Sequence, residues 1–135
     1  MFFPGSSEYN YKPSLGSSIN WNHPLSEGLI ACYLFNEVSG LKSYDISRYN
    51  VVGTLTNGAL FSNIDGGIVT LDGVNDYISL PQTPIVNTGG VSVEIWFKTT
   101  QTTQALILQT VNYGNGIYLN RFTNTGKLFA PILPI

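Results

Sequence analysis

The feature that most limits what this chain can become is how often its apolar runs are interrupted. Short runs rich in Val, Ile, Leu, Tyr and Phe recur from Gly28 to Phe129, each closed by Gly, Asn, Asp or Pro. Runs of this length suit strands, since a helix usually needs about 10–12 residues of continuous period. Val91-Ser92-Val93-Glu94-Ile95-Trp96-Phe97-Lys98 shows the strand period most plainly. Val91, Val93, Ile95 and Phe97 are expected on one face, and Ser92, Glu94, Trp96 and Lys98 on the other. The apolar run from Gly28 to Phe35 predicts a strand buried on both faces. The runs at 51–55 and 59–61 flank Asn57-Gly58, whose two residues tolerate positive φ and so predict a hairpin. Further runs at 68–71 and 77–80 flank a turn at 72–76, and others follow at 105–108, 117–119 and 127–129. Short strands at this spacing predict an all-β, antiparallel sandwich or barrel.

Charge narrows the functional classes. Charged residues make up 10% of the chain, against roughly 25% in an average soluble domain. So little repulsion opposes association weakly, which points to a surface partly covered by partners; a neutral, Asn/Thr-rich surface is the simpler alternative. The six basic residues are scattered from Lys12 to Lys127 and form no stripe, so no nucleic-acid partner is expected. Cys32 is the single cysteine, which rules out an intrachain disulfide. The opening Met1-Phe2-Phe3-Pro4-Gly5 has no basic region followed by an apolar one, so no signal peptide is expected. No apolar run approaches the roughly 20 residues of a membrane span. Residues 1–22, with Pro4, Gly5, Pro13, Gly16 and several Ser, read as an extended arm, and 23–135 as the sandwich domain.

Gly28-Leu29-Ile30-Ala31-Cys32-Tyr33-Leu34-Phe35-Asn36-Glu37 resembles the opening strand of laminin-G-like, concanavalin A-like jelly rolls. Tyr44-Asp45-Ile46-Ser47, Gly53 to Ala59, Leu71 to Ile78 and Val91 to Phe97 follow in that family's order and spacing. The lead-in Asn22-His23-Pro24-Leu25-Ser26-Glu27 is similar to that of laminin-G-like proteins of tailed phages. The resemblance implies an antiparallel jelly-roll β-sandwich. That family usually continues with a Trp-bearing strand and an Asp-Gly hairpin, whereas this sequence ends at Pro131-Ile132-Leu133-Pro134-Ile135. A sandwich shortened at its C-terminal end would expose an apolar face and open strand edges that want a cover.

Catalytic chemistry has little to work with. Cys32 and His23 are the only members of their types, and Cys32 lies in an apolar run where thiols act as inert packing groups. Glycoside hydrolysis needs two carboxylates about 5–9.5 Å apart, and the strand at 91–98 offers Glu94 alone. No enzymatic activity is expected. Related jelly rolls often hold calcium, which takes oxygen ligands. Asp72 and Asp76 are the candidates here, although Asp-Gly and Asn-Asp are also ordinary turn formers. No cofactor is otherwise expected. Glycan binding would use exposed aromatic faces, for which Trp96, Tyr113 and Tyr118 are the candidates.

Low charge, the phage-like lead-in and the shortened fold together lead to an expected role as a virion structural protein, such as a phage capsid decoration protein. Phe2, Phe3, Tyr9 and Tyr11 of the arm and Ile132, Leu133 and Ile135 of the tail would then make the assembly contacts. The expected partners are other virion proteins, the major capsid protein first, in an oligomeric particle. The alternative is a carbohydrate-binding module for host-surface glycans, with or without calcium.

Overall fold

The computed structural model describes residues 12–81, residues 92–100, and the backbone of three strands at 105–109, 116–119 and 128–129. The chain divides into two compact units, Met1–Val91 and Ser92–Ile135. Among the described residues all regular structure is antiparallel β, apart from two single 3-10 turns at Pro24–Ser26 and Ile64–Gly66. No described helix is long and apolar enough to cross a membrane.

In the first unit β1 (Lys42–Tyr44), β2 (Val52–Thr56) and β5 (Tyr77–Ser79) form one sheet in the order β1-β2-β5. A separate hairpin joins β3 (Leu60–Ser62) to β4 (Ile68–Thr70). Asn57-Gly58 does form a turn, with φ of 61° and 118° and a bond from the Ala59 N–H to the Thr56 carbonyl at 3.4 Å. The strands on either side of it do not pair with each other, contrary to the hairpin expected there. Instead β2 pairs with β5, through Thr54–Ser79, Leu55–Ile78 and Thr56–Tyr77, while β3 pairs with β4. One hairpin is thus nested inside another, and Asn57-Gly58 is the corner where the chain leaves the outer sheet. Positive φ permits a sharp reversal but does not choose which strand will be the partner.

The run Gly28–Phe35 also departs from expectation. It forms no named strand; its one ladder contact is the Tyr33–Asp45 bridge, and residues 29–36 are half-buried rather than buried on both faces. The Cys32 N–H, which a strand would give to a neighbouring carbonyl, goes to the Asp45 carboxylate at 2.8 Å. Phe35 then turns into the left-handed region, with φ of 53°. A non-glycine residue there cannot continue a strand.

Few side chains are buried. Leu55 (3% exposed) and Ala59 (0%) are the buried apolar residues of the described core, and Ser43, Asp45 and Ser47 are buried with them. Those three polar residues alternate with exposed Tyr44 and half-buried Ile46, so the period of two is present but a polar face turns inward. Gly53 stands opposite Ser43 in the register, where its missing side chain leaves room for the Leu80 and Ile78 side chains.

In the second unit β6 (Ala105–Gln109), β7 (Gly116–Leu119) and β8 (Leu128–Phe129) make an antiparallel sheet in that order, close to the three runs read from sequence. The β6–β7 register shifts between Leu106 and Leu108. Residues 92–100 belong to no strand, and Val93, Ile95, Trp96 and Phe97 are all exposed. The described part of the expected apolar face, Val93, Ile95 and Phe97, is therefore not covered, and without that burial the alternating pattern has little to hold it in strand form.

Candidate functional site

Asp72 and Asp76 do come together, and their oxygens serve the turn itself. Asp72 Oδ1 accepts the Val74 N–H at 2.8 Å, and Asp76 Oδ2 accepts the Asp72 N–H at 3.0 Å. Across the corner, Asn57 Nδ2 donates to the Asn75 carbonyl at 3.0 Å. The second Asp76 oxygen, Oδ1, is buried without a hydrogen bond beside Gly58, where any Cβ would sit 3.1 Å from it. Calcium takes about six to eight oxygen ligands, and among the described residues no group of three or more acidic, His or Cys side chains is placed to hold a metal.

Two other carboxylates organise the loops around β1. Asp45 is the more completely used. Its Oδ1 accepts the N–H groups of Cys32 and Ser47, both at 2.8 Å. Its Oδ2 takes the Ser47 hydroxyl at 2.6 Å and the Val51 N–H at 3.3 Å. One buried charge thereby satisfies three backbone donors from two stretches of chain, the run before β1 and the loop after it, and such charge-assisted bonds are each worth about 1.5–3 kcal/mol. Glu37 Oε1 similarly accepts the Tyr44 N–H at 2.6 Å and the Ser43 hydroxyl at 3.2 Å, while its Oε2 is buried and unpartnered. Burial and the nearby Asp45 charge raise the Cys32 thiol above its ordinary value and push the Tyr33 hydroxyl up to about 12. Both groups are thus held in their neutral forms. Tyr33 donates its hydroxyl proton to the Val51 carbonyl at 2.8 Å, and its ring lies parallel to that of Phe35 with centroids 6.1 Å apart. These are packing and fastening roles.

A concave surface of the first unit lies elsewhere. An open pocket of about 550 Å³ is lined by Trp21, His23, Glu27, Ile30, Arg48 and Tyr49, among others. Pro24 starts a 3-10 turn whose cap is the His23 ring: Nδ1 accepts the Leu25 N–H at 3.2 Å. The Ser26 hydroxyl donates to the His23 carbonyl at 2.7 Å, which tightens the same turn. Arg48 follows directly on Ser47, so the Asp45–Ser47 bonds fix where the arginine leaves the backbone. Its guanidinium carbon lies 4.3 Å from the centre of the Trp21 ring, a cation–π stack. Trp21 and Arg48 were not among the residues singled out from sequence. They are 27 positions apart, and only the fold brings them together.

Of the aromatic candidates, Trp96 is 88% exposed and donates its Nε1–H to Glu94 Oε1 at 3.0 Å. Tyr118 lies on β7 opposite Leu106 and Phe129. Tyr113 and the assembly candidates Phe2, Phe3, Tyr9, Tyr11, Ile132, Leu133 and Ile135 lie outside the described residues. At the described end of the expected arm, Lys12 Nζ donates to the carbonyls of Leu34, at 3.1 Å, and Gly67, and Asn36 Nδ2 donates to the Pro13 carbonyl at 2.7 Å.

No protein-family model, no curated protein and no solved structure matches this chain.

Proposed function

We propose that this chain is a non-enzymatic structural protein of a virus particle, a jelly-roll decoration or capsid-associated protein that binds neighbouring virion subunits. The observation that carries this reading is the contrast between core and surface. Leu55 and Ala59 are the buried apolar residues described, whereas Leu25 and Val74 are each 84% exposed and Leu15 is 66% exposed. Val38, Leu41, Leu60, Ile64 and Leu71 are exposed as well. Covering such surface is worth about 25 cal/mol per Å², and little charge stands in the way of a partner that does so. The sequence resemblance to phage laminin-G-like proteins supports the same assignment.

The test is composition of the particle. Mass spectrometry of purified virions should find the chain in stoichiometric amounts, and deleting residues 1–11, which spares the Lys12, Pro13 and Trp21 contacts, should remove it from particles while leaving its β circular dichroism intact. Full occupancy by the shortened chain would sink the reading.

A second reading, a glycan-recognition module, is favoured by one observation: the Trp21 pocket pairs aromatic rings with polar side chains, the combination that sugars need.

A further inference from the structure

We propose that the pocket beside Trp21 binds a carboxylate-bearing sugar, a uronate unit of an anionic polysaccharide. The assignment rests on the glycan-recognition reading and names its ligand class.

Arg48 carries the argument. Its guanidinium carbon lies over the Trp21 ring, 4.3 Å from the centroid, and a cation held over a ring keeps its edge of N–H donors as its hydrogen-bonding surface. Among the described residues that edge meets no carboxylate and no other acceptor. A planar fork of donors matches a carboxylate through two parallel bonds. His23 adds a second donor. Its Nδ1 accepts the Leu25 N–H, which leaves Nε2 as the ring's donor.

The remaining lining argues for a sugar rather than a bare oxyanion. Tyr49 and Ile30 are of no use to phosphate or sulfate, but an aromatic ring and an apolar side chain of this kind pack against the C–H face of a pyranose. Glu27 also lines the pocket and opposes any anion bound there, the uronate carboxylate included. The pocket, about 550 Å³ and open to solvent, has room for more than an inorganic ion.

The experiment is calorimetric titration of the full chain with a short oligogalacturonate, with its fully methyl-esterified form and with inorganic phosphate. The acid oligomer should bind saturably, and the neutral ester at least about ten-fold more weakly, as the loss of a charge-assisted pair implies. Arg48→Gln should weaken the acid oligomer by a similar factor. Glu27→Gln, at an exposed position, should tighten it a few-fold by removing a like charge. Equal binding of acid and ester would overturn the carboxylate assignment while leaving glycan recognition standing. Saturable binding of neither would end both. Phosphate competing at equal affinity would make this a plain anion site and overturn the proposal. Should Arg48→Gln fail to fold, Glu27→Gln decides: unchanged or weaker affinity in that variant overturns the proposal.

Discussion

The carboxylate of Asp45 accepts the backbone N–H of Cys32 at 2.8 Å, thirteen residues back along the chain. The same side chain holds Ser47 and Val51, so one residue fastens the half-buried run before β1 to the loop after it. Asp45→Asn keeps the shape but turns one oxygen into an N–H donor facing other donors. The expected cost is about 2–4 kcal/mol, read as a lowered urea midpoint with the slope unchanged. A variant as stable as the parent would contradict this role.

Among the described glycines, Gly67 is the least open to substitution. Its φ is 107°, and a Cβ would fall 2.5 Å from Asn36 Cα and 2.7 Å from the Phe35 carbonyl oxygen, both backbone atoms. Backbone cannot swing aside as a side-chain tip can. Gly67→Ala should cost at least about 2 kcal/mol, while Gly40→Ala, with open space around it, should show only the smaller penalty of its positive φ. Thermal melts of the two variants side by side would separate clash from conformational preference.

Tyr33 makes stability fall in alkali. Its hydroxyl is pushed up to about 12 from an ordinary 10, by burial first and then by the Asp45 charge. The folded chain therefore holds this proton more tightly than the unfolded one. The contribution is complete below pH 10 and is lost as pH rises from there through 12. The tyrosinate absorbance titration should contain a late component that Tyr33→Phe removes.

Cys32 should react slowly. Burial, then Asp45, raises its thiol, which keeps the thiolate scarce near neutral pH. Alkylation by iodoacetamide in buffer should run at least about ten-fold slower than in denaturant. A native rate equal to the denatured one would mean that the run around Cys32 is open to solvent.

The class of the fold was legible because turn residues sit at regular intervals and β-branched residues lie between them. The three strands of the second unit were read closely for that reason. Partner choice was not legible. Asn57-Gly58 announces a turn, but whether β2 meets β3 or β5 depends on which faces find cover, and that is a tertiary matter. The inward face of β1 escaped notice because Ser43, Asp45 and Ser47 alternate as polar residues, and a search for apolar alternation passes over them. At 91–98 the opposite happened: an apolar alternation is present, yet Val93, Ile95 and Phe97 are exposed. The Trp21–Arg48 pair could not have been found from spacing, since nothing local couples the two positions.

The nesting of β3–β4 inside β2–β5 sets an order of events in folding. Thr56 and Tyr77, the innermost pair of the outer ladder, are separated by a long excursion, whereas Ser62 and Ile68 close a short one. Closing the short loop first shortens the effective tether for the outer pair and lowers its entropic cost. The inner hairpin is then the kinetic template on which the outer register is laid down. A flexible Gly-Ser insert in the β3–β4 connection would leave every pair of both ladders available and still weaken that head start, so folding should slow while the native structure is kept.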